Sequence, residues 1–106
     1  MLTMNLKSNQ IRLIAFDLDG TMLNAAKVLT PRNKAALERA VDKGILIVPT
    51  TGRLFDAIPD EIREFPFLRY AVTINGAAVF DTETGGNIYR AEIPLEQALE
   101  VIEQIL

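Results

Sequence analysis

Short, nearly continuous apolar runs alternate along this chain with stretches in which apolar residues recur every three or four positions. Residues 11–16 form the first run, interrupted only by Arg12 and stopping at Asp17, the pattern of a strand buried on both faces. Asp17, Leu18, Asp19, Gly20 and Thr21 then mark a loop, and an irregular, mostly polar stretch continues to Leu29. Thr30 and Pro31 announce a helix: Thr30 can cap free backbone N–H groups and Pro31 suits the first helical position. Ala36, Leu37, Ala40 and Val41 follow at helical spacing until Gly44 ends the element.

Residues 45–48 predict a second buried strand, ending in Pro49, Thr50, Thr51, Gly52 and Arg53. A weaker helical segment over residues 54–64 is open to interruption at Pro59. Residues 70–74 predict a third strand that closes on Asn75 and Gly76, and residues 77–80 and 88–93 flank Gly85 and Gly86 as a β-hairpin. Residues 94–106 predict an amphipathic helix with Leu95, Leu99, Ile102 and Leu106 on one side, and with no partner after it. Strand, helix, strand, helix, strand with right-handed crossovers makes a parallel three-stranded sheet.

Composition narrows the chemistry. The 106 residues contain no Cys, His or Trp, which removes zinc fingers, thiol nucleophiles, imidazole bases and disulfides. Catalysis is left to carboxylates, Lys, Arg and hydroxyls. The net charge of −3 is spread without a Lys/Arg cluster, so nucleic acid is not an expected partner. The apolar runs fall far short of the roughly 20 residues that span a bilayer. Residues 1–10 lack the apolar core of a signal peptide, so no export and a cytoplasmic location are expected.

In a parallel sheet the ligand site lies at the carboxyl ends of the strands, and here those ends carry Asp17 with Asp19, Thr51 with Gly52 and Arg53, and Asn75 with Gly76. Two carboxylates gathered in a crevice are costly unless a cation joins them. The chain shows no such cation beside them, so a bound Mg²⁺ is expected to supply it through carboxylate and carbonyl oxygens. Hydroxyl and N–H groups at Thr51 and Gly52 suit phosphate oxygens. Together these features describe a phosphoryl-transfer site.

Asp17-Leu18-Asp19-Gly20-Thr21 after an apolar strand resembles the first motif of the haloacid dehalogenase-like phosphohydrolases. Thr50-Thr51-Gly52-Arg53 resembles the second motif, and Ile74-Asn75-Gly76-Ala77 resembles the signature of the Cof-type branch, largely sugar-phosphate and related phosphatases. The resemblance implies a Mg²⁺-dependent phosphomonoester hydrolase working through an aspartyl-phosphate. Asp17 would be the nucleophile and Asp19 the acid/base. Thr51, Gly52, Arg53 and Asn75 would bind a small phosphorylated metabolite, and Asp17 (carboxylate) with Asp19 (main-chain carbonyl) would hold Mg²⁺. The expected fold is α/β: a partial Rossmann-like parallel sheet in residues 1–81, then in residues 82–106 a hairpin and helix leading into a cap.

The family also carries a phosphate-neutralising Lys or Arg and a further acidic pair, and neither motif is found before Leu106. The expectation is therefore an amino-terminal portion of a longer phosphatase, inactive alone. Lys27, Lys34 and Lys43 are not expected to substitute, the first lying in the irregular stretch and the others on a solvent-facing helix. An apolar first strand without its outer neighbour invites pairing, so self-association through that edge or through the last helix is expected. A non-catalytic phosphoacceptor or binding module is the alternative. Dinucleotide binding fails because no G-x-G-x-x-G follows the first strand.

Overall fold

The computed structural model describes residues 11–106. Five strands form one sheet in the order β1-β2-β3-β4-β5. The strands are β1 (Leu13–Asp17), β2 (Leu46–Thr50), β3 (Tyr70–Thr73), β4 (Ala78–Asp81) and β5 (Gly86–Arg90). β1, β2 and β3 run parallel, and β4 and β5 add to the same sheet as an antiparallel hairpin. The hairpin thus extends the parallel sheet directly instead of standing apart from it.

The first long helix, α1 (Pro31–Asp42), begins as its sequence requires. Thr30 Oγ1 accepts from the Asn33 N–H at 3.2 Å, Pro31 occupies the first turn, and Gly44 leaves the helix with φ +78°. The weaker helical stretch resolves into a 3₁₀ turn at Phe55–Ala57 and a short helix α2 (Asp60–Arg63), separated at Ile58 and Pro59. Proline lacks the N–H that a continuous helix would need at that point.

The core gathers on one face of the sheet. Phe16, Ile47 and Ala71 project into it from three strands and meet Leu37 of α1, Ile62 of α2, and Leu18, Leu23, Ile58, Phe65 and Leu68 from the connections. Removing each of the Leu, Ile and Phe side chains from water contributes about 1.5–3 kcal/mol. Successive strand residues face opposite ways, so the other face carries Leu13, which is 51% exposed, and Ala15. β1 is therefore not the doubly buried strand that its composition predicts. It lies at the edge of the sheet, and among the described residues only its Phe16 is buried.

The last helix, α3 (Leu95–Ile105), forms where the apolar period places it, yet Leu95, Leu99, Val101, Ile102 and Ile105 are all exposed. Its apolar stripe stays open to solvent. No helix of the described residues is long and apolar enough to cross a membrane.

Candidate active site

The parallel register sets Asp17 opposite Thr50 and Thr50 opposite Val72, so the carboxyl ends of β1, β2 and β3 finish side by side. An open cleft of about 420 Å³ lies there, lined by Asp17, Thr50, Thr51, Gly52, Val72, Asn75 and Gly76. One carboxylate oxygen of Asp17 accepts the Leu18 N–H at 2.8 Å, which fixes the side chain at the strand's tip. Thr51 is buried, and its hydroxyl accepts the Arg53 N–H at 3.1 Å. Thr50, beside it, spends its hydroxyl on the Phe16 carbonyl at 3.2 Å and so ties β2 to β1.

The loop after β3 is locked onto the loop after β2. The Ile74 N–H donates to the Arg53 carbonyl and the Asn75 N–H to the Thr51 carbonyl, at 3.1 and 3.0 Å. Ile74, Asn75 and Gly76 have φ of +51°, +52° and +94°. Asn tolerates the left-handed region and Gly is free there, but a β-branched Ile is strained, which is characteristic of functional loops. Gly52 lies close under Asn75: a Cβ at that position would stand 2.9 Å from the Asn75 side-chain oxygen and would push the carboxamide aside.

Asp19 is placed differently. Its carboxylate turns to Arg53, whose Nε donates to Oδ2 at 3.0 Å and whose Nη2 donates to Oδ1 at 2.7 Å. The remaining Nη1 donates to the Ala57 carbonyl at 2.8 Å, and Lys27 Nζ reaches Asp19 Oδ1 at 3.2 Å. The hydrogen bonds from Arg53, then from Lys27, hold the Asp19 carboxyl below the usual carboxylate range, and Asp19 in turn raises Arg53. This corrects the expectation that the chain itself offers the paired aspartates no nearby cation. The two cations lie 34 and 8 positions from Asp19 in sequence and are delivered by the register of β1 against β2 and by a left-handed turn at Lys27.

Of the residues singled out in the sequence, Asp17, Thr51, Gly52 and Asn75 share the cleft, whereas Asp19 and Arg53 face one another beside it. Thr50, Val72 and Gly76 also line the cleft, and Lys27 joins the ion cluster. Thr50 and Gly76 belong to the motifs read from the sequence, though neither was assigned a binding role there, and nothing local marks Lys27 as a partner of Asp19. Among the described residues no group of three or more His, Cys, Asp or Glu comes together.

A family model for haloacid dehalogenase-like hydrolases matches residues 14–106. The chain belongs to that family. It is similar to a 5-amino-6-(5-phospho-D-ribitylamino)uracil phosphatase of Bacillus subtilis, with 41% identity over 75 residues, 68% of this chain and 24% of the relative. It is also similar to the pyridoxal phosphate phosphatase of Escherichia coli, with 33% identity over 94 residues, 89% of this chain and 35% of the relative. Among solved structures, a haloacid dehalogenase-like hydrolase from B. subtilis superimposes with a TM-score of 0.74 at 33% identity, covering 90% of this chain and 33% of that one. The chain thus spans about a third or less of the length of these relatives.

Proposed function

We propose that this chain carries the nucleophile, the acid/base and part of the phosphate site of a Mg²⁺-dependent phosphomonoester hydrolase of the Cof type, working on a small phosphorylated metabolite in the cytoplasm. The observation that carries the proposal is the convergence of Asp17, Thr51, Gly52 and Asn75 on one cleft at the carboxyl ends of the parallel strands. In this reading the Asp17 carboxylate attacks phosphorus and forms an aspartyl-phosphate, for which no prior deprotonation is needed. Thr51, Gly52 and Asn75 hold phosphoryl oxygens. Asp19 hands a proton to the leaving oxygen and takes one from the attacking water. Arg53, expected from the motif to bind the phosphoryl group, is left out of the ligands in this reading: it does not line the cleft, and each of its three guanidinium nitrogens already donates to Asp19 or Ala57.

The donor set suits Mg²⁺ in kind: the Asp17 carboxylate and the Asp19 main-chain carbonyl offer hard oxygens. It is small in number, since no third acidic group stands with them among the described residues. When bound, the ion would offset negative charge on the phosphoryl group.

The residue roles, the division into a core portion (1–81) and a hairpin and helix leading to a cap (82–106), and the inactivity of these 106 residues by themselves belong to the same proposal. So does self-association through the β1 edge or α3, and sedimentation showing only monomer at micromolar concentration removes that part. A non-catalytic phosphoacceptor is the second reading, favoured by the commitment of Arg53 and Lys27 to Asp19 instead of the cleft.

The test is to incubate the chain with acetyl phosphate and Mg²⁺ and follow its intact mass. A phosphoryl adduct that Asp17→Asn abolishes is expected, with near-background turnover of p-nitrophenyl phosphate. An adduct that survives Asp17→Asn sinks the nucleophile assignment, and rapid Mg²⁺-dependent turnover sinks the inactivity. An adduct whose lifetime Asp19→Asn leaves unchanged favours the phosphoacceptor.

A further inference from the structure

Arg53 stands in the second motif, where a positive charge is readily assigned to the substrate, yet its geometry gives it another task. It does not line the cleft. All three guanidinium nitrogens are engaged: Nε and Nη2 grip the two oxygens of Asp19, and Nη1 is anchored on the Ala57 carbonyl. Parallel N–H donors matched to a carboxylate fix both its distance and its plane, which a single contact cannot do. The Ala57 anchor ties the fork to the 3₁₀ turn Phe55–Ala57, whose Phe55 ring stacks on Phe80 at a centroid distance of 3.9 Å. Lys27, 63% exposed and touching one oxygen only, adds charge without orientation.

We infer that Arg53 is a positioning residue that aims the Asp19 carboxylate at the water attacking phospho-Asp17, and that it is not a ligand of the substrate. This rests on the proposed aspartyl-phosphate chemistry. In the step concerned, the water oxygen bonds to phosphorus and the bond between phosphorus and the Asp17 oxygen breaks. Its electron pair returns to the Asp17 carboxylate, and the water's proton passes to Asp19. Forming the adduct from acetyl phosphate makes no such demand, because acetate leaves as a stable anion without a proton. The two half-reactions therefore separate positioning of Asp19 from integrity of the cleft.

The experiment labels the chain with acetyl phosphate and Mg²⁺, removes the donor, and follows the lifetime of the adduct by mass. Arg53→Ala is expected to lengthen that lifetime tenfold or more, a share of the 10²–10⁴ that a positioned base supplies, while the labelling rate stays within about twofold. Added methylguanidinium is expected to shorten it again. If the Ala variant fails to fold, Arg53→Lys keeps the charge but loses the fork, and the same lengthening is expected. An adduct that decays equally fast in wild type and Arg53→Lys overturns the inference alone, as does a labelling rate that falls in step with the decay. A wild-type chain that forms no adduct at Asp17 overturns it together with the proposed chemistry.

Discussion

Two arginines grip two aspartates at opposite ends of this sheet. At the carboxyl ends of the parallel strands Arg53 holds Asp19, whose side chain is 40% exposed. At the other end, where Tyr70 pairs with Asp81 in the β3–β4 ladder, Arg69 Nε donates to Asp81 at 2.9 Å, and the Asp81 side chain is only 4% exposed. Asp81 also accepts the Glu83 N–H at 2.9 Å, Arg69 packs over the Tyr70 ring and meets Glu83, and the Thr82 hydroxyl closes onto the Leu68 carbonyl. The second cluster is a fastener: it stitches the start of β3 to the end of β4. The first fastens no pair of strands and stands beside the cleft. The same ionic pairing thus serves cohesion where water is excluded and orientation where water enters, because solvent screens an exposed pair and leaves its geometry as the main contribution.

Exchanging single partners would sharpen or break that contrast. The largest effect is expected from Asp19→Asn, which should slow hydrolysis of phospho-Asp17 about 10²-fold or more while leaving the unfolding temperature almost unmoved. A thermal melt lowered as far as by a change at Asp81 would erase the distinction. Next comes Asp81→Asn, expected to lower the unfolding midpoint by roughly 5 °C, because a neutral amide replaces the buried carboxylate that accepts from both Arg69 and the Glu83 N–H. Calorimetry should show it, and labelling at Asp17 should persist.

A smaller, pH-dependent effect follows from Asp81. Arg69, with help from the Glu83 N–H, holds its carboxyl below the ordinary value. A carboxyl depressed in the folded state contributes stability that is fully present above its unfolded value, about pH 4, and is lost as pH falls through its lower folded value. The stability gap between wild type and Asp81→Asn should therefore be constant above about pH 5 and close in stronger acid. A gap that widens on acidification contradicts the assignment. Smallest is Lys27→Ala, whose exposed single contact should shift the melt by less than about 1 °C.

The cleft was legible in the sequence because parallel strands bring their carboxyl ends together, and Asp17, Thr51 and Asn75 each follow an apolar run that could be counted off. The helix at Pro31–Asp42 was equally plain, since Thr30, Pro31 and Gly44 signal its ends by local chemistry. The fork was not legible. Nothing near Asp19 in the chain points to a residue 34 positions away, and only the register of β1 on β2 delivers Arg53 to it. The exposure of Leu13 and Ile14 was hidden for a related reason: an apolar run reports the preference of its side chains for burial, not whether a neighbour arrives to cover them.

Ile74 puts this molecule at odds with any programme of thermostabilisation. A left-handed β-branched residue costs about 1–2 kcal/mol relative to its relaxed form, so a blind screen for heat resistance would find replacements such as Asn or Gly attractive there. Each would slacken the arch that presents the Asn75 carboxamide against Gly52, trading endurance for a less sharply defined rim of the cleft.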